Sequence, residues 1–237
     1  MTNLEHDPRA IGKTLRWYTP LAMLFSLLLV VVNIVAQKIL PGYKWIAFNA
    51  GDLIYPLLYL VSLLIVEVYG YALSRRVIWS SFVGNLLVML LIEVAIKLPA
   101  ATGIWHDEAA FQLILGRTYR IMLASMVAFL CGEFLSTYLF SKLKIATEGR
   151  LLWLRSGMAV IVGQLLDSLL FTSVAFYGVI SWIEILSLSF GAYIAKLLCQ
   201  LLLTPVVYWF ARLLKRAEGV DIIDRGTNFN PFNLGLK

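Results

Sequence analysis

The stretch SGMAVIVGQLLDSLLFTSVAFYG, residues 156–178, decides the fold. It is apolar almost throughout and long enough to cross about 30 Å of hydrocarbon as a helix. Yet it carries Asp167 near its middle and Gln164 three residues earlier, on the same helical face, with Phe171 one turn further on. An Asp or Lys at the centre of a spanning helix costs roughly 2.5–3.5 kcal/mol on insertion scales. A simple anchor would have Leu or Val there. The next apolar run, 184–210, repeats the pattern with Lys196, which has Tyr193 three residues before it and Gln200 four after it. A very short turn after Gly178 joins the two runs, so they pack antiparallel and Asp167 and Lys196 fall at similar depth. Such a pair neutralises both charges. It can be purely structural, or it can open to take a polar ligand or a proton, and an ionisable midplane residue is a functional candidate by default.

Working outward, the same pattern recurs. The 237 residues are 60% hydrophobic and 14% charged, where soluble domains have about 25% charged residues. The apolar excess comes in blocks of spanning length. The expected architecture is an all-α membrane protein with six transmembrane helices at about 18–38, 51–73, 77–97, 118–140, 156–178 and 184–210, forming one integral membrane domain over 1–237. Thr19-Pro20 reads as the first helix start, and the first run reads as a retained helix, because further spans follow it. Pro41-Gly42 ends that helix, Arg75-Arg76 ends the second and Pro99 closes the third. Pro205 is expected to kink the sixth. The connection over 98–117 should form a short interfacial helix from the acidic pair Asp107-Glu108.

Fourteen of the 20 basic residues fall on one side: Arg9, Lys13, Arg16, Arg75, Arg76, Lys142, Lys144, Arg150, Arg155, Arg212, Lys215, Arg216, Arg225 and Lys237. By the positive-inside rule both termini are cytoplasmic. The net charge of +6 is thus mostly a topology signal, and no basic stretch is long enough for a separate nucleic-acid-binding domain. The two cysteines, Cys131 and Cys199, lie in apolar runs as packing residues. No histidine falls in a span, and no HExxH motif occurs, so neither metal nor cofactor is expected and a membrane-embedded enzyme is disfavoured.

Other spans add polar groups that need partners in lipid. Glu93 and Lys97 are four apart at the outer end of the third helix and read as a structural ion pair. Glu67 lies two turns before Arg75-Arg76, either paired with those arginines or serving as a cytoplasmic gate or ligand group. Glu133 sits beside Gly132, a residue that lets helices approach closely, and can face the bundle centre. Asn33 with Gln37 on the first helix and Asn85 on the third should also face inward. The candidate substrate-binding set is therefore Asn33, Glu67, Asn85, Glu133, Gln164, Asp167, Phe171, Tyr193 and Lys196.

Several segments together resemble the queuosine-precursor transporter family, also described as a vitamin-uptake-transporter family. They are Gly51-Asp52 through Pro56 to Glu67-Val68-Tyr69-Gly70-Tyr71 with Arg75-Arg76 and Trp79; Lys142-Leu143-Lys144 with Gly149-Arg150 and Trp153-Leu154-Arg155; Gly163-Gln164 with Asp167-Ser168, Phe171 and Ala175-Phe176-Tyr177-Gly178; and Lys196, Thr204-Pro205, Tyr208, Glu218, Asp221, Asp224 and Asn228 to Phe232. They cover nearly the whole chain in order. Family members often carry an Asp one turn before the glutamate and a Thr just before it, where this chain has Leu63 and Val66. The resemblance implies uptake of 7-cyano-7-deazaguanine or its aminomethyl relative across a bacterial cytoplasmic membrane, as salvage for tRNA modification. One carboxylate can accept two ring N–H groups, an amide or ammonium can donate to the ring carbonyl, and an aromatic face can stack on the ring. Asp167 is also placed to couple uptake to protons. No obligatory ATPase partner is expected; whether copies form a homo-oligomer stays open. The alternative is a substrate-binding subunit of an energy-coupling-factor-type vitamin importer, for which Ala22 and Ser26 give a small-residue spacing on helix one. The chain itself has no GxxxxGK[ST] motif.

Overall fold

The computed structural model describes residues 15–36, 38–40, 48–101, 103–116, 119–233 and 235. Within them the chain forms α1 (Tyr18–Val35), the two-residue strands β1 (Ile39–Leu40) and β2 (Phe48–Asn49), α2 (Ala50–Lys97), α3 (Glu108–Gly116), α4 (Tyr119–Ala146), α5 (Leu152–Phe176) and α6 (Trp182–Glu218). The strands pair antiparallel, Ile39 opposite Asn49, and tie the end of α1 to the start of α2. Every helix but α3 is long and apolar enough to cross a membrane, which makes five candidate spans. Gln37 and the Pro41-Gly42 stop lie outside the described residues.

At about 1.5 Å per residue the 48 residues of α2 would reach about 72 Å, more than twice the hydrocarbon thickness. The helix breaks at Gly70, whose φ of 77° and ψ of 177° are open to glycine alone. A Cβ at that position would lie 2.9 Å from Asp224 Oδ1 and Ile222 Cγ2, so both the backbone angle and the space require glycine. The break separates a first arm, 50–69, from a second, 71–97. This corrects the expected stop at Arg75-Arg76. Charge marks a membrane rim, but the glycine makes the turn, and Arg75 lies fully buried inside the second arm.

The first arm is the central helix, with residues 58–69 buried on every side. α4 and α5 approach closely where two glycines face each other: a Cβ on Gly132 would stand 3.1 Å from the carbonyl oxygen of Gly163, and one on Gly163 would stand 2.7 Å from Ser136 Cβ. Outer faces are apolar, as at Leu87, Leu90, Leu91 and Val94 of the second arm, while Asn33, Glu67, Glu133, Gln164, Asp167 and Lys196 are buried. Apolar outside and polar inside is the partition a lipid solvent imposes.

The smaller signals resolve individually. α3 begins at Glu108, at the acidic pair. α1 begins at Tyr18 with Trp17 as its cap residue, one to two residues before the Thr19-Pro20 start. The Glu218 carboxylate from α6 accepts from the Trp17 and Arg16 amides there, at 2.6 and 3.2 Å, which places an anion at a helix N-terminus. The Ser181–Glu184 capping box opens α6. The helix runs on past 210, through Pro205, to a left-handed cap at Gly219.

Candidate functional site

The buried polar groups stack along the bundle in three layers. At the end opposite the C-terminal tail, a narrow cleft with an internal free volume of about 30 Å3 is lined by Asn33 and Ala36 of α1, Asp52 and Tyr55 of α2, Met122 and Ser125 of α4, Asp167 and Phe171 of α5 and Lys196 of α6. Lys196 donates to Asp167 Oδ2 at 2.8 Å and lies 3.6 Å from Asp52 Oδ1. The Tyr55 hydroxyl donates to Asp167 Oδ1 at 3.3 Å, and the Lys196 ammonium sits 4.3 Å from the centre of the Tyr55 ring. Ser125 donates to the Asn33 amide oxygen at 2.6 Å.

The cleft therefore offers two carboxylates, one ammonium, an amide and two aromatic rings. Carboxylates accept N–H groups and the ammonium donates to a carbonyl, a set that suits a ligand with both along one edge. Asp167 and Lys196 do meet at one depth, as the antiparallel packing of their helices requires.

The middle layer holds Glu133, which accepts from the Ser62 hydroxyl, and Tyr59, whose hydroxyl bonds with that of Ser136. Gln164 is buried close to these, with its side-chain oxygen unpartnered among the described residues. Gln200 on α6 is in the same condition.

The third layer is an ion cluster beneath the tail. Arg155 grips Glu67 with two bonds, 2.7 and 3.3 Å, and donates to the carbonyl oxygens of Gly149 and Arg150. Lys215 bonds the Glu67 carboxylate and also Asp221, at 2.9 Å. Lys144 lies 3.7 Å from Glu67 and donates to Asp221 and to the carbonyl oxygen of Ile222, both at 2.7 Å. Burial pushes the Asp221 carboxyl up, but the Lys144 charge and the bonds from both lysines outweigh this and hold it below the ordinary carboxylate range.

Residues beyond α6 then fold back over this end. Both Asp224 oxygens accept from the Tyr71 amide at 3.0 Å, capping the helix that restarts after Gly70. Arg75 donates to the carbonyl oxygens of Asn228, Asn230 and Gly235, and the Trp79 indole to that of Pro231 at 2.7 Å. Phe229 packs on Tyr71 and Tyr138 and lies 4.2 Å from the Lys142 ammonium.

Of the sequence candidates, Asn33, Asp167, Phe171 and Lys196 come together at the cleft. Glu67, Glu133 and Gln164 lie in the layers below. Asn85 is buried in the second arm with its amide nitrogen unpartnered among the described residues. Tyr193 packs against Phe190 and does not line the cleft. Glu67 pairs with Arg155, Lys144 and Lys215 rather than with Arg75 or Arg76, because Arg75 is taken up by the tail carbonyls. Glu93 and Lys97 form an exposed pair at 3.0 Å. Sequence reasoning passed over Asp52 and Tyr55 as site residues. Asp52 lies where an acidic residue opens a helix, and Tyr55 carries no charge; the one available signal was the Gly51-Asp52 pair at the head of an apolar run.

The fold defines a multi-pass membrane protein with a column of buried polar groups along its bundle. Residues 49–210 match the family model described as "Putative vitamin uptake transporter". A "Probable queuosine precursor transporter" of Bacillus subtilis (strain 168) is 30% identical over 171 residues, covering 71% of this chain and 73% of the relative. The "Queuosine precursor transporter" of Escherichia coli (strain K12) is 28% identical over 133 residues, 56% of this chain and 55% of the relative. A further "Probable queuosine precursor transporter", from Haemophilus influenzae, is 26% identical, and the match covers about half of it (51%). No solved structure matches the chain. The chain belongs to the vitamin uptake transporter family.

Proposed function

We propose that this protein carries a queuosine precursor, a 7-deazaguanine bearing a cyano or aminomethyl group, inward across a bacterial cytoplasmic membrane. The cleft of Asp52, Tyr55, Asp167, Phe171 and Lys196 is its binding site. The observation that carries this reading is the Asp167–Lys196 pair at the cleft wall, 2.8 Å apart and more than nine-tenths buried. When the pair opens, one carboxylate accepts two N–H groups from the pyrimidine edge, the ammonium donates to the ring carbonyl, and Tyr55 or Phe171 stacks on the ring. Asn33 reaches a remaining polar edge. The names of the relatives from three bacteria agree with this chemistry.

The membrane arrangement that goes with it has six crossings, the two arms of α2 counting separately, with both termini on the cytoplasmic side. In support, residues 16 and 17 bond Glu218 at the same end as the tail. The tail end is then cytoplasmic and the cleft faces outward. The carrier works without a dedicated ATPase subunit. A strain that cannot make deazaguanine, but can use it, tests the reading. Expression of this protein should restore queuosine in tRNA from a scarce external supply of 7-cyano-7-deazaguanine. No restoration, with the protein present in the membrane, would reject it.

A further inference from the structure

The middle layer contains a group the binding reading leaves unused. Glu133 is 2% exposed, yet among the described residues no Lys, Arg or His lies within 4 Å of its carboxylate. Its side chain has one hydrogen-bond partner, the neutral Ser62 hydroxyl. The other buried carboxylates of the column differ: Asp52 and Asp167 share Lys196, and Glu67 holds Arg155, Lys144 and Lys215. The titratable groups acting on Glu133 are Tyr55 and Tyr59 from α2 and Asp167 from α5, and none is a cation. An uncompensated carboxylate in such surroundings costs far more than a protonated one.

We infer that Glu133 is the proton-binding site that couples substrate movement to protons, with Asp167 kept for the substrate. This rests on the transport reading above. The placement fits the role. Glu133 lies between the cleft and the cluster under the tail, one residue from Gly132, and a Cβ on Gly132 would meet Asp167 Cβ at 3.0 Å. A shift of α5 as the Asp167–Lys196 pair opens is therefore felt on α4 beside Glu133. In each cycle a proton from outer water forms an O–H bond on the Glu133 carboxyl. That bond breaks when the tail end opens, the proton passes to inner water, and the carboxylate is reprotonated from outside. With a neutral deazapurine, one positive charge moves inward per cycle.

The test uses purified full-length protein in liposomes with labelled 7-cyano-7-deazaguanine. Wild type should exchange label at equal pH and take it up several-fold faster with the outside acid. Glu133→Gln should lose the acid stimulation. Wild-type exchange with no response to the gradient overturns proton coupling while leaving the transport reading intact; absence of wild-type exchange sinks the transport reading itself. A second measurement needs no substrate. Infrared difference spectra at neutral pH should show a protonated carboxyl band in wild type that Glu133→Gln lacks. Identical spectra, or a variant that still responds to the acid gradient, would overturn the assignment to Glu133.

Discussion

The two ends of the polar column are built from the same residue types and differ in what surrounds them. At the tail end, Glu67 receives three cations, Arg155 also donates to two backbone carbonyls, and the tail adds Asp221 and the Ile222 carbonyl to the cluster. At the cleft end, Asp52 and Asp167 flank the Lys196 ammonium at the wall of a cleft. A saturated network favours the closed state of that end, because removing any member strands the others. A small network that lines a cleft can exchange its bonds for those of a solute that arrives. On the proposed function the first is a seal and the second a receptive site, although in a linear sequence both appear only as charges in apolar runs.

The largest effect that can break this contrast is at the seal. Glu67→Ala would leave buried cations facing one another. It should destabilise the protein by about 3–5 kcal/mol, the range for stranding one side of a buried pair. Thermal unfolding in detergent would show this as a large loss of monodisperse protein, and near-normal stability would mean that the cluster is not the seal described. Next is Asp167→Asn, which keeps shape and removes charge at the receptive end. It should lower deazaguanine binding about 100-fold, equivalent to about 2.7 kcal/mol from one charge-assisted bond, with a smaller loss of unfolding temperature than Glu67→Ala, because Asp52 still faces the Lys196 ammonium. Gly163→Ala tests the close contact between α4 and α5. With Ser136 Cβ only 2.7 Å from the added carbon, overpacking should cost about 1–3 kcal/mol in the same unfolding assay. Smallest is Glu93→Gln at the exposed pair, where a change of more than about 1 kcal/mol would be unexpected.

The tail also gives a pH prediction. The Asp221 carboxyl is held below its ordinary range by Lys144 and Lys215. A depressed carboxyl stabilises the fold above its unfolded value, near pH 4, and that contribution is lost as pH falls through the lower folded value. Limited proteolysis of residues 219–235 should thus be flat from about pH 8 to about pH 5 and rise only in stronger acid. Asp221→Asn should expose the tail already at neutral pH.

The spans were legible because hydrophobic length is a property of the chain alone. The Asp167–Lys196 contact was legible too, since a short turn between two helices fixes relative depth. Legibility fails where a partner comes from far along the chain. Asp52 and Tyr55 meet Lys196 across more than 140 residues, and nothing local marks them. The partners of Glu67 were hidden differently: Lys144 and Arg155 looked like rim charges, yet both are fully buried, Lys144 under Asp221 and Ile222 of the tail and Arg155 against Phe140 and the carbonyls of Gly149 and Arg150. The turn at Gly70 was masked by the arginine pair that follows it. Its cause, the Asp224 cap, lies 153 residues from Tyr71.

The central claim is that the cleft end is the substrate site. Equilibrium binding of labelled 7-cyano-7-deazaguanine to purified protein tests it most directly, with wild type, Asp167→Asn and Glu93→Gln compared side by side. Saturable binding to wild type and Glu93→Gln, with Asp167→Asn about 100-fold weaker, is the predicted result. Wild-type affinity in Asp167→Asn would contradict the account.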